Sequence, residues 1–188
     1  LQEVYRDGWF VNTRVGMRGD GESVYAHVVH LKALSKQYFT KSLQKKFSDY
    51  AFIHDIQESV AHAVIDGIKR DLNPLFNQRN YILTLDDKAQ VESAAFELIA
   101  EGENEMRDIW YDYNAKHSDE AQQFNVLDKL CVMWRCVDFV KSGKYRYDDF
   151  NDYWAYWSAE RARNSLHANV ADIYEQTLIP VIESLSQG

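Results

Sequence analysis

The chain has 188 residues, 46% apolar and 27% charged: enough to bury a core, and too apolar to stay disordered. Its net charge of −8 disfavours polymeric nucleic acid, whose backbone needs clustered cations, but not a single nucleotide, since a bound metal can supply local positive charge. No apolar run approaches the roughly 20 residues of a membrane span, and no basic segment followed by an apolar stretch opens the chain, so neither a membrane nor a secretory route is expected.

In chain order, a first helix is predicted near 2–7, followed by the loop "DGWFVNTRVGMRGDGES". A second helix spans about 22–39, where Val24, Val28, Leu31 and Leu34 recur at helical spacing. A third spans about 48–70, and Pro74 breaks the chain after it. Thr84 is the expected N-cap of a fourth, which runs to about 99. Later helices are expected at 102–116, 118–141, 148–168 and 168–186. No pattern of period two marks a strand. The expectation is an all-α fold, one helical bundle over 1–188. Cys131 and Cys136 lie five apart in one helical pattern and point in different directions, so a disulfide is not expected and a reducing, cytoplasmic setting is.

The chemistry concentrates in "AFIHDIQESVAH", residues 51–62. His54, Asp55 and Glu58 follow a small apolar run, and on a helix residues three and four apart share a face. Carboxylates buried there without partners would be costly, so either water solvates them or a cation does. "GESVYAHVVH" adds His27 and "NVLDKL" adds Asp128. Two imidazoles and two carboxylates suit a first-row divalent ion with open positions.

Together these segments resemble the HD-domain metal-dependent phosphohydrolases, in particular their small 5′-deoxynucleotidase branch, which includes phage enzymes acting on dATP. "RVGM…ESVYAH" is similar to that branch's arginine loop and ESVAEH, and "HDIQE" to its HDxxE. "EMRDIWYDYNAKHSDEAQQFNVLDKL" is similar to its W-x-E-Y-E…S-x-E-A…LDK segment, and "VADIYEQTLIPVI" to its last helix. The resemblance covers roughly 9–182. It implies a metal-dependent nucleotide phosphohydrolase with His27, His54, Asp55 and Asp128 as ligands to a divalent ion: Co, Mn, Zn, Ni, Fe or Mg. It implies Glu58 as acid/base, Lys69 on the phosphate and Trp9 against the nucleoside. It also implies a small-molecule nucleotide substrate and a homo-oligomer, most simply a dimer.

Three positions depart from that family. HDxxExxxGD ends here in His62 and Ala63, so its second acid is missing, and Asp66 is the candidate to replace it. Asn125 stands where a lysine is usual, and Gly8 where an arginine precedes the loop tryptophan; Arg14, Arg18 or Arg6 is then the candidate to reach the phosphate. These changes keep two further readings open: a deoxynucleoside triphosphate triphosphohydrolase, and an inactive nucleotide-binding relative.

Other features read as packing or surface. Phe150, Tyr153, Trp154 and Trp157 recur at three- and four-residue spacing and suit a core or a dimer face. His30 suits a core position or the surroundings of His27, while His62 and His117 read as surface. "KSLQKKF" reads as a solvated face, with Lys41, Lys45 and Lys46 able to border a phosphate entrance.

Overall fold

The computed structural model describes residues 22–60, 85–151, 154 and 168–187. Among them the chain is helical: α1 (Val24–Tyr38), α2 (Lys41–Ile53), α3 (Leu85–Ile99), α4 (Asn104–Ala115), α5 (Asp119–Lys141), α6 (Ala168–Ile173) and α7 (Ile179–Ser186). A 3₁₀ turn, Tyr147–Phe150, follows α5, and a π-helical turn, Tyr174–Leu178, joins α6 to α7. The expected helix near 2–7, the loop after it, the Pro74 break and the Thr84 cap lie outside the described residues.

α5 is the central helix. One face sends Phe124, Leu127 and Cys131 into a core shared with Val28, Leu31, Phe47 and Tyr50 of α1 and α2. Another sends Val126, Leu130, Met133 and Val137 into a core shared with Val170, Tyr174, Leu178 and Ile182. A helix buried on two faces lacks the single apolar stripe of a surface helix. Its start is set by Ser118, whose Oγ accepts from Ala121 N at 3.2 Å.

Two expected helices are corrected. The third is expected at 48–70, but α2 begins at Lys41 and its regular ladder ends at Ile53. Leu43, Phe47, Tyr50 and Ala51 give the inward face from the start, and Phe47 is fully buried. Lysines on the opposite face of "KSLQKKF" masked that stripe. The helix at 168–186 is not continuous α. Tyr174, Leu178 and Ile182 are all buried and lie four apart. On an α-helix each four-residue step drifts by about 40°, whereas an i→i+5 turn winds more slowly and holds the three on one side.

Phe150 and Trp154 are buried in the second of these cores, where Trp154 Nε1 donates to the Tyr147 carbonyl at 2.9 Å. They are packing residues and leave no dimer face at those positions. Tyr153 and Trp157 lie outside the described residues. Both cysteines are free and buried, and burial pushes the Cys136 thiol up.

Candidate metal centre

Three elements bring the chemistry together. α1 carries His27 on its buried face, with Val24, Val28 and Leu31. α2 ends at His54, whose N–H still bonds the Tyr50 carbonyl at 2.8 Å. The ladder then tightens to three-residue bonds, Ile56 N to Ile53 O (3.2 Å) and Glu58 N to Asp55 O (3.1 Å). Adjacent side chains on a regular α-helix diverge by about 100°. At this break His54 Nε2 and Asp55 Oδ2 meet at 3.3 Å. α5 supplies Asp128, whose Oδ1 lies 2.8 Å from His27 Nε2 and 3.7 Å from His54 Nε2.

One ligand atom each from His27, His54 and Asp55 lies within 4.8 Å of the others. His54 Nδ1 is 3.1 Å from the Ala51 carbonyl, which can only accept, so that nitrogen donates and Nε2 is the one turned to the carboxylates. His54 Nε2 is buried and makes no hydrogen bond of good geometry. The His54 ring sits edge-on to Phe124 (5.5 Å between centroids) and Tyr113 (5.9 Å), which limits its rotation. A buried nitrogen held in direction beside two carboxylates is a donor set that fits a divalent ion. Glu58, one turn past His54, is fully buried.

The HD-domain sequence pattern matches residues 1–163. The chain belongs to the HD-domain family. No curated protein and no solved structure matches it. In this HD domain the clustered His/His/Asp site is suited to metal-dependent phosphohydrolase chemistry in general. Among the described residues no helix is long and apolar enough to cross a membrane.

The electrostatics of the HD-domain site follow from this packing. Burial disfavours a charged His54, but the carboxylates of Asp55 and Asp128 outweigh it and raise the imidazole to about 10. Burial also works against the Asp128 carboxylate, yet His27 and His54 hold it well below the usual carboxylate range. A raised folded-state value means the His54 contribution to stability is complete below its unfolded value, about 6.5, and is lost as pH rises toward about 10. The metal-free protein is therefore expected to melt at progressively lower temperature from pH 6.5 to 10. A metal ion must displace the same proton, so its affinity should rise over that window. Thermal melts and metal titrations across it check both, and a melting temperature that climbs with pH would contradict the account.

Of the residues proposed from sequence, the fold brings together His27, His54, Asp55 and Asp128. Trp9, Arg14, Arg18, Asp66 and Lys69 lie outside the described residues, as does His62. His117 is exposed. Lys46 reaches Asp112 at 3.1 Å, and with Lys45 it lines a separate groove of about 330 Å³ between α2 and α4. Lys46 is thus paired with an acid of α4. Sequence reasoning gave no role to Glu22 or Cys131. Glu22 Oε2 lies 3.2 Å from His27 Nδ1, and Cys131 Sγ lies 3.2 Å from His30 Nδ1. His30 therefore belongs to the surroundings of His27. The signal for Glu22 was available: it directly precedes the serine that caps α1.

Proposed function

We propose that this HD-domain protein hydrolyses deoxynucleoside 5′-monophosphates to nucleoside and phosphate. The convergence of His27, His54 and Asp55, with Asp128 against His27, is the observation that carries the reading. The nucleotide class rests on the sequence likeness in "HDIQE", "ESVYAH" and the "LDK" segment. His27, His54, Asp55 and Asp128 would hold the ion. A divalent ion there would polarise a phosphate oxygen and acidify water. Glu58 takes the proton of the attacking water, whose oxygen bonds to phosphorus. The phosphorus–oxygen bond to the nucleoside then breaks, and the leaving oxygen ends protonated. Asp66 assists the proton transfer. Lys69, Arg14 and Arg18 offset phosphate charge, and Trp9 packs on the base.

A second reading is favoured by His62, Ala63 and Asn125, which alter the shell that would handle phosphate. In it the substrate is a deoxynucleoside triphosphate and the leaving product is tripolyphosphate. A metal-supplemented screen of all nucleoside mono- and triphosphates, with products identified, separates these. Inorganic phosphate from monophosphates supports the first reading and tripolyphosphate the second. Nucleotide binding without hydrolysis would mean an inactive relative.

The family likeness alone motivates a homodimer, since the buried Phe150 and Trp154 no longer supply a face for one. Light scattering should then give twice the 22.0 kDa chain mass at micromolar concentration, and a monomer mass would refute it. The free buried cysteines fit a reducing, cytoplasmic setting.

A further inference from the structure

Ser23 caps α1: its Oγ accepts from Ala26 N at 3.1 Å, and its carbonyl accepts from His27 N at 2.9 Å. Counted from that cap, Glu22 is the residue just before it and His27 is the fourth residue of the helix. These are the two positions that a hydrophobic staple joins at helix starts. Here the same geometry joins a carboxylate to an imidazole. Glu22 Oε2 lies 3.2 Å from His27 Nδ1, with both side chains almost wholly buried. The other carboxylate oxygen lies 3.9 Å from His30 Nδ1, one turn further along. Cys131 Sγ stands on the same side, 3.5 Å from His27 Nδ1.

We propose that Glu22, set in place by the Ser23 cap, is the positioning residue that directs His27 Nε2 toward the metal. The proposal rests on the metal-centre reading above. A neutral imidazole carries one N–H and one lone pair, and the group facing one nitrogen decides which is which. The negative charge of a carboxylate 3.2 Å from Nδ1 favours the proton on that nitrogen. The lone pair then falls on Nε2, which faces Asp128 at 2.8 Å and the His54–Asp55 cluster. A carboxylate partner behind a ligand histidine also fixes the ring's orientation and raises its basicity. A role in stability alone does not account for the residue. An aliphatic side chain before the cap would staple the helix without the desolvation cost of a buried carboxylate.

The test uses the full chain and Co²⁺ as probe. Dissociation constants come from calorimetry, ligand geometry from the visible spectrum of the Co²⁺ protein, and folding from melts without metal. Glu22→Leu should keep the metal-free melting temperature, because the staple becomes apolar. It should bind Co²⁺ roughly 10–100-fold more weakly, with a changed spectrum. Glu22→Gln keeps a carbonyl acceptor and should fall between the two. Ser23→Asp exchanges one good cap for another and should match the wild type, whereas Ser23→Ala should weaken binding. Co²⁺ affinity and spectrum unchanged in Glu22→Leu would overturn this proposal alone. If that variant does not fold, unchanged values in Glu22→Gln overturn it. A wild type that binds no Co²⁺ would overturn the metal-centre reading and this proposal with it.

Discussion

His54→Ala and Asp128→Ala should each lose the metal and the hydrolase activity together. His54 Nε2 is the buried nitrogen that faces both Asp55 and Asp128, and Asp128 Oδ1 is the oxygen nearest both imidazoles. Removing either leaves a gap in the ligand set. The loss of affinity should exceed the roughly 10–100-fold typical of residues standing behind the ligands. His54→Ala also takes a buried imidazole away from the half-buried Asp55 and Asp128. Losing that imidazole costs them an ion-pair partner, so part of the effect should appear as a lower melting temperature. Metal content by elemental analysis, read beside turnover, is the measurement. Stoichiometric metal retained in both variants would remove the site assignment.

Glu58→Gln should separate binding from chemistry. Glu58 is fully buried and joined to the ligand turn through its N–H to the Asp55 carbonyl, so the isosteric amide should leave the fold in place. Metal content should stay near that of the wild type. Turnover should fall by roughly 10²-fold or more, the scale of a lost acid/base group. Asp66→Asn should cost much less. Position 66 lies three residues beyond Ala63, the position where the family carries its second acid. Steady-state kinetics on the best substrate of the screen decide. A larger penalty at Asp66 would reverse the two roles, and activity unharmed by either change would mean that proton transfer needs no carboxylate.

What could be read from the sequence, and what could not, follows from the range of each signal. α1 and α5 were legible through local apolar patterns, the spacing of Val24, Val28, Leu31 and Leu34 and the run around Cys131 and Cys136, though their serine caps were not read. The start of α2 was not, because lysines on its outer face diluted the stripe that Leu43 and Phe47 carry. The break after His54 was also hidden. A run of four residues that could continue a helix gives no sign of stopping, and the ladder changes there as tertiary contacts form around His54. His54 and Asp55 were visible as a motif. Asp128 was not visible from spacing, since an acid in an apolar helix run usually faces water. Only the packing of α5 against α1 brings it to His27. Phe150 and Trp154 had readable spacing, but spacing cannot tell which neighbour covers a face, and here the chain covers it itself.

The π-helical turn at Tyr174–Leu178 has a consequence for how this end of the chain tolerates change. It amounts to an α-helix with one residue inserted. Deleting a residue within it would restore ordinary winding and set Tyr174 and Ile182 seven residues apart, about 20° short of two full turns, so the last helix would keep its phase with the core. Ile182 would stay with the apolar cluster, whereas winding the segment as plain α at its present length would carry it about 80° away from Tyr174's side. Gln176 is exposed, so its identity is free to vary. The segment should thus accept the loss of one residue, and the slow winding between Tyr174 and Ile182 is what keeps the last helix in phase with the bundle.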